Sequence, residues 1–395
     1  MKKALINGII ITPNMEFYGG VKIEDEIITN VFKGKVEFSE EWEIIDAKGN
    51  YVSPGFIDIH THGAGGHDFM DGTLESILVA SKTHMSHGTT SIVPTILTSS
   101  KSEMKKVINI FDEAKMKSRN APELIGIHLE GPYFSEDQAG AQDPKYIRDP
   151  ETEEYLEILN MSDNIVRWSI APERKNALML ARELKRRGIV SSIAHSNATY
   201  EEVLVAYEAG FSLMTHFYSG MSSIRRIDAK RVAGCVEAGY LIDNMNVEVI
   251  SDGMHLPESL LKLIYKIKGP DKICLVTDSM RAAGQAVNES IIGSLKNGQP
   301  VIVEEGVAKL PSRKAFAGSI ATADRCVRTM RNLAQVPLRE AVKMMTLNPA
   351  KVMGIDERKG SLTAGKDADI IIFNDDINIK VVMIKGKIRK NVINN

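Results

Sequence analysis

Residues 54–63 read Pro54-Gly55-Phe56-Ile57-Asp58-Ile59-His60-Thr61-His62-Gly63, a short apolar strand that closes on two histidines. Side chains alternate faces along a strand, so His60 and His62 point the same way. Two imidazoles converging from the end of a buried strand can hold one metal ion. They can equally be a hydrogen-bonded pair at a strand terminus. The sequence around the stretch has to decide between these readings.

Downstream, the same rhythm repeats. β-rich apolar runs at 53–59, 90–96, 124–129, 165–170, 189–194, 213–217, 247–251 and 273–277 alternate with helical stretches at 74–87, 103–116, 177–187, 200–209 and 260–267. Near-continuous apolar strands separated by helices predict a parallel sheet covered on both faces. Such units, spread over roughly 230 residues, predict a closed (β/α)8 TIM barrel. Further helices are expected at 320–331 and 338–345. Upstream, 4–12 and 21–31 read as strands without helical periodicity, and the tail returns to strand and hairpin at 367–373 and 379–388. Chain termini commonly lie close together. The expected organisation is therefore a small β-sandwich from 1–51 and 356–395 around a barrel of 52–355.

Composition narrows the function. The chain has 395 residues, 43% hydrophobic and 25% charged, with a formal net charge of -2 and no extended basic block, which gives nucleic-acid binding no support. No stretch reaches the ~18 apolar residues of a membrane span. Cys235, Cys274 and Cys326 lack metal-ligand spacing. They imply no disulfide framework, and with no signal-peptide pattern at the N-terminus the expected location is cytoplasmic.

Barrel enzymes place their chemistry at the C-terminal ends of the strands. Here those ends carry His60 and His62, then Glu130, His195, His216, Asp252 with His255, and Asp278. Ionisable groups at so many strand ends favour the metal reading. His60 and His62 can hold one ion and His195 and His216 a second, with Glu130 bridging. This N and O donor set suits zinc, and iron or manganese less selectively. The fourth strand ends in Ser169-Ile170-Ala171-Pro172, so no lysine there can supply a carbamylated bridge. Asp278 is the expected general base, ionised beside a cation and able to return its proton to a leaving amine. His128 is expected to pack behind Glu130. His84 and His87, within a helical stretch, are expected to be structural or surface residues, and His67 to support the rim.

These motifs carry a resemblance. The segment 54–63, His128-Leu129-Glu130-Gly131-Pro132, Ala194-His195-Ser196, Thr215-His216, Ser251-Asp252-Gly253-Met254-His255, Val276-Thr277-Asp278-Ser279-Met280, Ala317-Gly318-Ser319, Asn348-Pro349-Ala350 and Gly365-Lys366-Asp367-Ala368-Asp369 follow in the order seen in the amidohydrolase superfamily. Across nearly the whole chain they resemble its N-acetylglucosamine-6-phosphate deacetylase family. The resemblance implies hydrolysis of the acetamido group of N-acetyl-D-glucosamine 6-phosphate to D-glucosamine 6-phosphate and acetate, in a homodimer. It implies a principal metal on Glu130, His195 and His216, a second on His60 and His62 that some members keep, and Asp278 as the acid/base. It also implies substrate contacts from His255, from the Phe316, Ala317 and Gly318 loop, from Gln142, and from the segment opening at Ser219 and Gly220.

One segment departs from the pattern. After His216 the family carries an Asn-Ala-Met run and a His-Arg-Glu-Pro-Gly segment, whose arginine reaches the sugar phosphate, often in the partner's site. Here Ser219 to Lys230 puts Ile227 at that position, with Arg225 and Arg226 just before it. A guanidinium fork suits a phosphate dianion, so its displacement matters. Either Arg225 or Arg226 takes over, or the substrate is another N-acyl amino sugar, unphosphorylated or of a different hexosamine. A non-catalytic binding barrel is the reading from outside the enzymes, and it leaves the retained rim residues without a purpose.

Overall fold

The structure, a computed structural model, describes residues 2–394. Phe56–Thr61, Thr89–Ile96, Ile127–Glu130, Ile165–Ile170, Val190–Ile193, Phe211–Met214, Asn246–Ile250 and Ile273–Val276 pair in parallel, each with the next, with Glu123–Leu124 as a short lead-in to the third. The last strand lies against the first, and the Asp278 N–H donates to the His60 carbonyl at 2.9 Å, closing the barrel at its C-terminal rim. The first two strands are buried at every residue, as a sheet covered on both faces requires.

Helices Leu74–Ser86, Lys101–Lys117, Ala177–Arg186, Tyr200–Ala209 and Glu258–Lys268 wrap the outside where their periodicity places them. Outward-facing Leu129, Trp168, Ile193 and Met214 join helix residues such as Ile108, Phe111 and Leu180 in one large core. Inside the barrel, an apolar cluster of Ile57, Val93, Leu213 and Cys274 adjoins a polar layer of His128, Arg167, Ser169, Ser192, Thr215 and Glu248.

Two short helices, Thr152–Leu159 and Cys235–Leu241, were not expected from the sequence, since each spans only about two turns of periodicity. The segment after the eighth strand also holds more than a connection. It carries an antiparallel sheet of Glu289–Ile292, Gln299–Glu304 and Val307–Lys309, which swings residues 315–318 over the barrel mouth. Arg225–Ile227 and Lys230–Val232 form a separate hairpin, turned at Asp228 and Ala229 with φ of 46° and 67°.

The second domain is one mixed eight-stranded sheet built from both ends of the chain. Tyr51–Pro54 pairs antiparallel with Ile370–Phe373 and so joins the N-terminal strands to the C-terminal ones. Leu5, Val21, Ile23 and Val52 meet Ile370, Ile372 and Val381 in a core of their own. The run at 21–31 is two strands, because Asp25 takes φ 54° and turns the chain back on itself. Among the described residues no helix is long and apolar enough to cross a membrane.

Candidate active site and metal centre

The strand ends converge on Glu130, the last residue of the third barrel strand. Its Oε1 lies 3.0 Å from His216 Nε2, 3.4 Å from His195 Nε2 and 3.5 Å from His60 Nε2, and its Oε2 lies 3.3 Å from His62 Nε2. Two sets of three donors result, His60–His62–Glu130 and Glu130–His195–His216, each able to surround one ion and sharing the glutamate. Asp278 stands beside the first set, with Oδ1 3.1 Å from His62 Nε2 and 3.5 Å from His60 Nε2. All six side chains are buried.

The backbone works to place them. His195, His216 and Asp278 have φ of 44°, 31° and 45°, a region that costs residues with a Cβ of order 1–3 kcal/mol and is found where function over-determines the chain. Three of the four histidines are then turned by an acceptor behind them, while His62 Nδ1 has none. His195 Nδ1 is 2.7 Å from the Gln138 carbonyl, His216 Nδ1 is 3.0 Å from the Ser219 carbonyl, and His60 Nδ1 is 3.2 Å from Glu248 Oε2. Carbonyl and carboxylate oxygens only accept, so each of these Nδ1 atoms carries a proton, which leaves Nε2 as the atom able to offer a lone pair to a cation.

Electrostatics say what the cluster lacks. Burial drives Glu130 toward protonation, but His60, His195 and His216 overrule it and hold the carboxyl well below the usual range. Burial likewise opposes charge on Asp278, and His60 and His62 overcome it. Burial would depress His60, yet Asp278 and Glu130 push it up to about 9, and His62 is raised well above its ordinary value for the same reason. His60 Nε2 nevertheless has no hydrogen-bond partner. Two buried carboxylates facing four imidazole Nε2 atoms, that of His60 without a hydrogen-bond partner, fit a divalent cation that would displace the extra protons.

A cavity of about 230 Å³ opens above this cluster. Of the residues singled out in the sequence, His62, Glu130, Gln142, His195, His216, Ser219, Gly220, His255, Asp278, Phe316 and Gly318 line it. Gln142 also donates to Glu130 Oε2 at 2.9 Å and accepts from the Thr98 N–H at 3.1 Å, so it orients the carboxylate. His255 is held by Asp252 Oδ2 at 2.8 Å and rests on the Phe316 ring at 4.6 Å between centroids. Ala317 is fully buried beneath the loop, and its N–H donates to the Ala308 carbonyl.

Arg225 and Arg226 do not line this cavity. Arg225 donates to the Asn197 side chain at 3.0 Å and to its carbonyl at 2.7 Å, while Arg226 is exposed on the hairpin. His128 is buried edge-on against His60 and bonds Ser169 Oγ and Thr95 Oγ1. His84 sits behind the first strand against Thr61 Oγ1, burial pushing it down to about 4, and His87 pairs with Asp324. His67 closes a short ladder with Ala64 beside the rim.

Sequence reasoning missed Glu248 and Arg167, both wholly buried inside the barrel. The available signal was one acid and one base, each standing alone in an apolar strand: Val247-Glu248-Val249 and Val166-Arg167-Trp168. Gln138 and Ser219 act through main-chain carbonyls and left no such signal.

The fold and the paired triads define a (β/α)8-barrel protein with one or two divalent-metal sites, and its relatives make it a metal-dependent hydrolase of carbon–nitrogen bonds. The model of the amidohydrolase family matches residues 51–389. N-acetylglucosamine-6-phosphate deacetylase of Lysinibacillus sphaericus is 35% identical over 353 residues, 87% of each chain, and that of Haemophilus influenzae is 32% identical over 99% of this chain and 100% of its own. A crystal structure of N-acetylglucosamine-6-phosphate deacetylase from Pasteurella multocida superposes with a TM-score of 0.92 at 30% identity, covering 99% of this chain and 100% of that one. A mutant of the Mycobacterium smegmatis enzyme in complex with N-acetyl-D-glucosamine-6-phosphate gives 0.89 at 27%, covering 99% of each. The chain belongs to the amidohydrolase family and, within it, to the N-acetylglucosamine-6-phosphate deacetylase family.

Proposed function

We propose that this chain hydrolyses the acetamido bond of N-acetyl-D-glucosamine 6-phosphate, releasing acetate and D-glucosamine 6-phosphate. The observation that carries the reading is the Asp278 carboxylate at the floor of the cavity, kept ionised by His60 and His62 and set beside the His60–His62–Glu130 triad. Glu130, His195 and His216 would hold the principal ion and His60 and His62 the second, with zinc favoured by the nitrogen-rich donor set over iron or manganese. A cation held by these residues would supply an acidified water and polarisation of the amide carbonyl. Asp278 would take a proton from the attacking water and return it to the departing amine nitrogen. His255, its Nδ1 proton spent on Asp252, presents Nε2 to the sugar.

Arg226 is the better candidate for the phosphate, because Arg225 is already engaged by Asn197. Arg226 extends on a hairpin that also exposes Ile224 and Ile227, apolar side chains that a second subunit would cover. A homodimer that passes this hairpin to its partner follows. Three buried free cysteines go with a reducing cytoplasm. The displaced arginine keeps one alternative alive, a different hexosamine phosphate. N-acetylgalactosamine-6-phosphate deacetylase of Escherichia coli O157:H7 is 29% identical over 85% of this chain.

The test is acetate release from N-acetylglucosamine 6-phosphate, N-acetylgalactosamine 6-phosphate and unphosphorylated N-acetylglucosamine. The first should be turned over with the highest kcat/KM. Equal rates with and without the phosphate would overturn the substrate reading.

A further inference from the structure

The two triads are oriented by different means. His195 and His216 lean on main-chain carbonyls, which the fold fixes whatever the side chains do. His60 leans on one side chain, Glu248 of the seventh strand, across the barrel interior at 3.2 Å. The same Oε2 accepts the His216 backbone N–H at 3.2 Å, so a single oxygen touches a member of each triad.

Glu248 is itself held. Its Oε1 pairs with Arg167 Nη1, and both residues are fully buried. The guanidinium spends its remaining donors on the Ile59 carbonyl at 3.1 Å, Ser192 Oγ at 3.1 Å and Thr215 Oγ1 at 3.0 Å. Arg167 thus ties the first, fifth and sixth strands to Glu248 on the seventh. A buried charged pair is weak evidence for stability, since apolar residues of the same volume often do as well. Its retention beneath the rim asks for another reason, and the orphaned His60 Nε2 supplies one. That lone pair points at Glu130 only while Nδ1 keeps its proton and an acceptor for it.

We propose that Glu248, clamped by Arg167, is the positioning residue that fixes His60 as the Nδ1–H tautomer and thereby makes His60–His62–Glu130 a competent second cation site. The proposal rests on the two-ion reading given above. It assigns Glu248 no contact with substrate.

Glu248→Gln cannot serve both neighbours. With its oxygen toward His60 and His216, the amide NH2 confronts Arg167; reversed, the NH2 confronts the His216 N–H. Arg167→Met/Glu248→Met removes the buried charges and the acceptor for His60 Nδ1 together, and so separates loss of positioning from an unpaired arginine. In zinc-equilibrated protein checked by circular dichroism, elemental analysis should find wild type near two ions per subunit. Both variants should fall toward one, the affinity for the weaker ion dropping about 10- to 100-fold. The ion at Glu130–His195–His216 should remain. Folded variants that hold both ions with wild-type affinity overturn the proposal.

Should neither variant fold, 15N-histidine NMR of the wild-type holoprotein decides. His60 must show a protonated Nδ1, and a protonated Nε2 overturns the proposal. Wild type holding a single ion would instead overturn the two-ion reading and, with it, the second cation site that Glu248 is proposed to build.

Discussion

Gly220 offers a sharp test of how the centre is oriented. It has φ +60°, and a Cβ built on it would stand 2.8 Å from His195 Nδ1, 3.3 Å from His195 Cε1 and 3.2 Å from the Gln138 carbonyl oxygen. That position wedges the hydrogen bond that turns His195 toward Glu130. The imidazole must move by several tenths of an ångström, and its freedom is limited by Phe134, whose ring centroid is 4.6 Å away. Losing a partner of a metal ligand typically costs 10- to 100-fold in metal affinity, about 1.4–2.7 kcal/mol. Left-handed strain adds roughly 1 kcal/mol of destabilisation. Gly188→Ala separates the two effects, since Gly188 has φ +72° with nothing within 4 Å of its added Cβ. Gly220→Ala should lose zinc affinity and kcat/KM together, with partial recovery in excess zinc. Gly188→Ala should lose stability alone. A Gly220→Ala enzyme with wild-type zinc affinity and turnover would refute the claim that the Gln138 carbonyl orients His195.

Other perturbations read other parts of the molecule. Asp278→Asn keeps the shape of the side chain but cannot take a proton at neutral pH; turnover should fall by about 10²- to 10⁴-fold while elemental analysis finds the metal content of wild type. Chelation should be accompanied by proton uptake. With the cation gone, burial disfavours charge on His60 but Asp278 and Glu130 prevail and set it at about 9, with His62 also raised, so the protein gains protons near pH 7.5. Calorimetric chelation in two buffers of different ionisation enthalpy, corrected for the chelator's own protons, measures the uptake, and a value of zero contradicts this account of the charge deficit. Far from the site, Glu123 binds Arg358, Lys359 and Lys385 at 2.7, 3.1 and 3.3 Å and ties the barrel to the C-terminal segment. Burial pushes it up, but Arg358, Lys359 and Lys385 bring it down to about 2 from an ordinary 4.5. A depressed carboxylate stabilises the fold fully above 4.5 and loses that contribution as pH falls from there toward 2, so Glu123→Gln should cost about 1–3 kcal/mol at pH 7 after allowance for its partial exposure. The gap to wild type in urea denaturation should narrow at pH 3, and a gap that widened would reverse the sign of the argument.

The barrel was legible because its strands are buried on both faces and its chemistry sits at their ends. Two features, apolar runs and a terminal polar residue, then occur at one place in each repeat, as in Ile127-His128-Leu129-Glu130. What escaped was of three kinds. Short elements such as Thr152–Leu159 carry too few turns for a period to stand out. Main-chain acceptors such as the Gln138 and Ser219 carbonyls have no residue signature, because any amino acid supplies a carbonyl. The third kind was present in the letters and went unread. Arg225 and Arg226 looked interchangeable as a charged pair, but successive strand residues face opposite ways. Once Asp228 and Ala229 are recognised as a turn with positive φ, Arg225–Ile227 becomes a strand and the two arginines must separate, one toward Asn197 and the other toward solvent. The same reasoning applies to Glu248 and Arg167. A lone ionisable residue in a strand that must be buried on both faces needs a partner inside the barrel: Asp58 finds it in the Thr277 hydroxyl, and Glu248 and Arg167 find it in each other. In a parallel barrel, an acid and a base isolated in two apolar strands are therefore a pair to test for long-range contact from sequence, and here that contact lies directly beneath the two donor triads.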